Sequence, residues 1–398
     1  MAGVGPMVGP VGRRRLLAGA GATLGLAALG GCAGRPAGGP SQTVPEAERL
    51  VLEPLRVGPE RITRITVCTR PFRPQGPRIE RVRLGDRDVI HHYGHGGSGW
   101  SLSWGSGAVA TDLALGTGAR EIAVIGCGAI GLTTAVLLAR SGAAVTIYAS
   151  EQPPEVPSAW ASGVWSPDSR ICLEEHATPA FKAQWAAMTR RSHAMFQGLL
   201  GLPGEPVEWI DSYYVRPAET PPSPPDPRPR FARLRRELVP DLSVGTREYA
   251  PGSHPFGDLL VRRFGQMVYN LGAYFRLLMA DYLQLGGRLE VRTFHGVAEV
   301  LALRQRTIVN CTGYGARALF GDDTLVPVRG QLTRTMTQPG IHYGLFYNEL
   351  SFVPRRDGFV FQRVGPDDYY GYGDDTTVPD RAEAEAAVRG ITGLFDRA

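Results

Sequence analysis

The chain has 398 residues, 43% of them hydrophobic and 20% charged, with a formal net charge of +5. That composition excludes a disordered chain, and the length suits two domains or one large α/β unit with an inserted subdomain. Arg13, Arg14 and Arg15 supply three of the net positive charges, so the rest is near neutral, which argues against a nucleic-acid binder.

Residues 13–31 read RRRLLAGAGATLGLAALGG and precede Cys32. Two arginines, any residue and two apolar residues fit a twin-arginine export signal. The mild Gly/Ala-rich stretch behind them suits a signal core better than a membrane span. Leu29-Gly30-Gly31-Cys32 resembles a lipobox. The expectation is a signal over 1–31 and export to the cell envelope, with membrane contact only through lipid on Cys32. Residues 32–60 are polar and Pro/Gly-rich and are expected to form a tether. Twin-arginine export carries folded proteins, which hints at a cofactor loaded beforehand.

Residues 61–115 carry two motifs, Thr69-Arg70-Pro71-Phe72-Arg73-Pro74-Gln75 and His92-Tyr93-Gly94-His95-Gly96-Gly97-Ser98-Gly99-Trp100-Ser101. The second is expected to lead into a helix opened by Trp100 and Ser101. His95 reads as a satisfied structural histidine rather than a general base. Cys68, Cys127, Cys172 and Cys311 have no C-x-x-C spacing; they read as buried small hydrophobes, and no metal site is expected.

The run EIAVIG ends in Gly126-Cys127-Gly128-Ala129-Ile130-Gly131, followed by LTTAVLLARSG and AVTIYA. This is strand, G-x-G-x-x-G, helix, strand within about 30 residues. The first Gly suits a tight turn, the second close approach of a pyrophosphate and the third close helix–strand packing. The helix N-terminus offers N–H groups to the phosphates. Glu151, or Ser150 beside it, would take the ribose hydroxyls. An acid here disfavours NADP but does not separate NAD from FAD.

Further segments follow. Ala161-Ser162-Gly163-Val164-Trp165-Ser166-Pro167 comes first, and the Pro-rich 220–230 reads as an extended surface loop. Residues 267–285 pattern as a long helix leading into a strand at 287–293. Val309-Asn310-Cys311-Thr312-Gly313 is then followed by Val328-Arg329-Gly330-Gln331 and Tyr347-Asn348-Glu349-Leu350-Ser351.

Together the VNCTG, RPxRPQ, YGHGGxG and G-x-G-x-x-G runs resemble the D-amino-acid oxidase family of FAD enzymes. In that family RPxRPQ and YGHGGxG close the chain; here they precede the nucleotide strand. The resemblance therefore implies a circular permutation, with 61–115 as the displaced segment, joined through Gly116–Arg120 to a FAD-binding domain over 120–398. The implied fold is α/β: a Rossmann-like FAD domain interleaved with a β-sheet substrate domain.

The resemblance implies a small-molecule amino-acid substrate and O2 as partners. A hydride would leave Cα for flavin N5, giving an imine, a 2-oxo acid and peroxide. It implies catalytic roles for Arg70, Tyr347, Ser351 and Gly97. Arg70 would grip the substrate carboxylate. Tyr347 and Ser351 stand where the family has two tyrosines four residues apart, the second helping to hold that carboxylate, so Ser351 is a departure. FAD would be held by Gly126, Cys127, Gly128, Ala129, Ile130, Gly131, Ser150, Glu151, Ser158, Ser162, Gly163, Val297 and Thr312. Gly96, Gly97, Ser98, Gly99, Trp100 and Ser101 would line its ring. The rival readings are an NAD-dependent dehydrogenase and a lipoprotein that binds FAD without turnover.

Overall fold

A computed structural model describes residues 42–43, 49–219 and 226–397. The expected signal and Cys32 lie outside these residues, as do 220–225 of the Pro-rich loop.

The strand Glu121–Ile125 sits centrally in a six-stranded sheet. Its order is Arg288–Val291, Ala144–Ala149, Glu121–Ile125, Thr307–Asn310, Arg87–Tyr93 and Arg78–Leu84. The first five strands run parallel, and the last turns back as a hairpin. Parallel strands need both faces covered, and the central strand supplies a continuous apolar run, Ile122-Ala123-Val124-Ile125. On one face Ile122, Val124 and Ile147 pack under helices Gly99–Leu115, Ala129–Arg140 and Leu271–Gln284. On the other, Ala123, Ile125 and Tyr148 pack against Val300 and Leu303. This is the α/β nucleotide-binding architecture that the G-x-G-x-x-G context predicts.

The second sheet has nine strands. Starting from one edge, Ile62–Phe72 pairs with Val326–Thr335, then come Phe359–Arg363, Leu350–Val353 and Tyr343–Tyr347. Beyond these lie Val207–Arg216, Leu260–Tyr269, Arg247–Tyr249 and Gln42–Thr43. Residues 62–115 are thus shared between both sheets. Their first strand is an edge of the nine-stranded sheet, their hairpin ends the six-stranded one, and their helix packs beside the helix Ala129–Arg140.

Two boundaries differ from expectation. The tether is shorter than 32–60, because Leu55 and Val57 are buried in the core between sheet and helix Arg381–Thr392, and the Tyr343 hydroxyl donates to Glu53 O at 2.6 Å. Apolar residues among the prolines anchor this stretch. The helix expected over 267–285 begins only at Leu271, after Asn270. Residues Met267–Tyr269 end a ten-residue strand whose register with Val207–Trp209 is unbroken. Cys68, Cys127, Cys172 and Cys311 are buried free thiols.

Candidate functional site

The C-terminal edge of the six-stranded sheet gathers most of the motif residues. Gly126 turns the chain at φ +102, and a Cβ there would lie 2.6 Å from Cys311 O. Cys311 N–H in turn donates to Ile125 O at 2.9 Å, so the glycine turn and the Asn310–Thr312 turn lie side by side. Asn310 Oδ1 accepts from both the N–H and the hydroxyl of Thr312, which fixes that turn. A Cβ on Gly131 would collide with Gly126 O; its absence lets helix and strand touch. Gly128 differs: a Cβ there would meet only Ser158 Oγ, at 3.1 Å.

Ser158 joins two helix N-termini. Its Oγ accepts from Ala129 N–H at 2.9 Å, and its carbonyl accepts from Trp100 Nε1 at 2.9 Å. Ser101 Oγ accepts from Ser166 N–H at 2.8 Å. Neither helix has a side-chain cap from its own N-cap residue or an acid in its first turn. Two positive helix ends therefore face the same edge without carboxylate compensation, a setting that favours anionic groups.

Within the loop 94–99 the glycines differ in their surroundings. Gly96 and Gly97 press against the backbone and side chains of Ser169 and Arg170, where a Cβ would collide. Gly97 N–H donates to Ser169 O at 2.9 Å. Close packing explains these two glycines. The open position is Gly99, where a Cβ would meet nothing within 4 Å.

His95 is buried, as expected, but it is not satisfied: neither ring nitrogen has a hydrogen-bond partner among the described residues. Burial depresses its pKa to about 3, and burial together with His95 holds neighbouring His92 well below the usual range. Both are neutral near pH 7 and neither can act as an imidazolium. In the unfolded chain they titrate near 6.5, so below that pH the unfolded state takes up protons the native state refuses. Their contribution is fully present above pH 6.5 and is lost as pH falls toward about 3. Each adds a slope approaching about 1.4 kcal/mol per pH unit. Urea midpoints at pH 7 and pH 5 should therefore differ less for His95→Asn than for the wild type; equal differences would refute the assignment.

Arg70 lies on the edge strand of the nine-stranded sheet. Its Nη1 donates to Arg329 O at 3.0 Å, and its guanidinium lies over Gly330, where a Cβ would collide with it. The strand end meets the glycine loop: Phe72 bridges His95, and Gly96 N–H donates to Pro71 O at 2.9 Å. Arg170 stands close enough that the Arg70 charge, after burial, helps lower its pKa to about 10. Arg170 Nε donates to Asp368 O at 2.6 Å.

Ser351 shares the Arg70 face. Cys68 pairs with Gly330, while Ser351 and Val353 pair with Gln362 and Val360. Cys68, Leu332, Val353 and Val360 form one cluster on that face. Two strands separate Ser351 from the Arg70 strand, however, so the two strands are not neighbours. Tyr347 is on the opposite face. It pairs with Leu350 across a two-residue turn and packs with the cluster formed by Phe352, Ala387 and Val388. The structure thus separates Tyr347 from Arg70 and Ser351.

The remaining expected residues spread along the edge. Ser150 and Glu151 follow the strand Ala144–Ala149 and are exposed. The carbonyl of Gly163, at φ +81, accepts from Tyr269 N–H at 2.7 Å, while Ser162 beside it is half-buried. Val297 opens the short helix Val297–Leu301, 37% exposed and two strands from Gly126. Sequence reasoning missed the seating of Gly96 and Gly97 on Ser169–Arg170; no local pattern announces it.

Residues 121–397 match the family described as "DAO: FAD dependent oxidoreductase". The chain belongs to this family. The oxidoreductase is 30% identical over 285 residues to a D-amino-acid oxidase of Rubrobacter xylanophilus, covering 69% of this chain and 77% of that one. It is 30% identical to one of Streptomyces coelicolor, with the same coverage. Among solved structures, iminodiacetate oxidase from Chelativorans sp. BNC1 aligns at 17% identity and TM-score 0.47, over 69% of this chain and 79% of that one. The cofactor of the oxidoreductase is FAD, and its reaction is flavin-dependent oxidation of an amino acid or amine. The residues present fit that group. The open space before Gly128 and the two helix ends, neither with an acid in its first turn, suit a pyrophosphate and a ring that gains negative charge on reduction.

Proposed function

We propose that the oxidoreductase oxidises a D-amino acid to its imine, which water hydrolyses to a 2-oxo acid and ammonia, with O2 as final acceptor and H2O2 as product. FAD, when bound, supplies the acceptor for the hydride leaving Cα. In this reading Gly126–Gly131, Ser158 and Thr312 hold the pyrophosphate. The N-terminus of helix Gly99–Leu115 stabilises charge on the ring. Arg70 grips the substrate carboxylate, which sets the angle of Cα as well as its position. The observation that carries the reading is that the edge strand holding Arg70 adjoins the Gly96–Gly99 loop through Pro71 and Phe72. An anaerobic screen of D- and L-amino acids against the yellow protein tests it. Bleaching by D-amino acids supports it; bleaching by L-amino acids alone, or by none, overturns it.

A circular permutation is part of this proposal. It is supported by the family match beginning at residue 121, after a segment that nevertheless supplies strands to both sheets. Export by the twin-arginine route and lipidation of Cys32 are likewise proposed, from the leader sequence alone. Envelope localisation should be lost when Arg13 and Arg14 become Lys, and membrane retention when Cys32 becomes Ala.

A further inference from the structure

The strand Val326–Thr335 has a neighbour on each side of Val328. On one side Val328 pairs with Arg70; on the other it bridges Tyr372. Arg329 N–H donates to Gly371 O at 2.8 Å, and Gly373 N–H donates to Pro327 O at 2.8 Å. Residues 371–373 thus run as a short extra strand beside Val328. Gly371 has φ +79, and a Cβ on it would collide with Arg329 O, so the seating is tight. Directly paired residues share a face. Arg70, Val328 and Tyr372 therefore form one row by backbone pairing, and the Arg70 guanidinium lies over the middle strand at Gly330.

The Tyr372 ring is wedged among Phe72, Tyr369 and Phe231, with centroids 5.9, 5.1 and 6.5 Å away. This packing fixes the ring while leaving the residue 36% exposed. Its hydroxyl has no hydrogen-bond partner among the described residues. Burial raises its pKa, so it remains an O–H donor at neutral pH. Ser351, by contrast, lies two strands beyond the pair Arg70–Val328 and carries its hydroxyl on a single carbon.

We infer that Tyr372 is the second carboxylate-binding group of the site, its hydroxyl donating to the substrate carboxylate that Arg70 holds. This rests on the amino-acid reading above. A cation and a phenol in one row define the plane of the carboxylate, and the aromatic wall beside them takes the substrate's apolar part. A hydrogen bond to a charged group contributes roughly 1.5–3 kcal/mol, or at least about tenfold in affinity.

The test uses FAD-loaded protein and two probes, benzoate as a bare carboxylate and the best D-amino acid from the screen. Binding of benzoate is read from its perturbation of the flavin spectrum. Tyr372→Phe keeps the ring and loses only the hydroxyl. It should weaken benzoate about tenfold or more and raise KM similarly, while kcat stays within about twofold and FAD content is unchanged. Benzoate affinity equal to wild type overturns the assignment, as does a loss of kcat at constant KM. If no amino acid bleaches the wild type, the functional reading fails, yet the benzoate comparison still decides the role of Tyr372.

Discussion

Arg70→Ala should lower kcat/KM by about 10²- to 10³-fold while leaving the FAD content of the purified protein unchanged. Removing the cation leaves a substrate carboxylate facing a half-buried site without its partner. Breaking a buried charge pair costs roughly 3–5 kcal/mol, and the partial exposure of Arg70 puts the expectation in the lower part of that range. The cofactor should be untouched, because the expected pyrophosphate cradle lies on the six-stranded sheet and Arg70 on the other. Gly330→Ala provides an independent check. A Cβ there collides with the guanidinium, so this variant should lose activity in the same direction with Arg70 still present. Unchanged turnover in Arg70→Ala would remove the active-site assignment.

Gly128→Val should yield a folded, colourless protein. The added side chain meets little of the protein itself, only Ser158 Oγ at 3.1 Å. It does occupy the space through which phosphate oxygens reach the helix N-terminus. Losing one or two hydrogen bonds to a charged group weakens FAD by about 10- to 100-fold or more. Circular dichroism should match that of wild-type protein stripped of flavin. Gly131→Val is the contrasting case. Its Cβ collides with Gly126 O inside the fold, so that variant should be insoluble rather than merely colourless. A yellow Gly128→Val protein with normal FAD content would place the phosphates elsewhere.

The nucleotide half was legible because its signals are local. Strand, glycine turn, helix and strand follow each other within one stretch, and each glycine answers to a contact within that stretch or just across it, at Cys311 O or Ser158. The Arg70–glycine loop contact was legible only through the family motifs, since nothing local joins Pro71 to Gly96.

Tyr347 shows where spacing misleads. Residues four apart on one uninterrupted strand share a face. Here Asn348 and Glu349 both take positive φ, at +45 and +63, and form a two-residue turn between the strands. Such a turn puts Tyr347 opposite Leu350, so Ser351 falls on the other face. The asparagine was a visible turn signal. The role of Tyr372 was not legible, because its row is created by the pairing of three distant segments.

The placement of residues 62–72 bears on how this chain comes to be folded. Arg70 and its hydrogen-bond partner Arg329 are 259 positions apart in sequence. Among the described strands, the edge Ile62–Phe72 pairs only with Val326–Thr335. During synthesis its ladder groups have no partner until most of the chain has left the ribosome. Contacts of such long range slow folding and leave an unpaired edge exposed in the interval. Completion of the Arg70–Val328–Tyr372 row is therefore timed by the last fifth of the chain, and any nascent fragment ending before Val326 lacks the surface on which Arg70 is held.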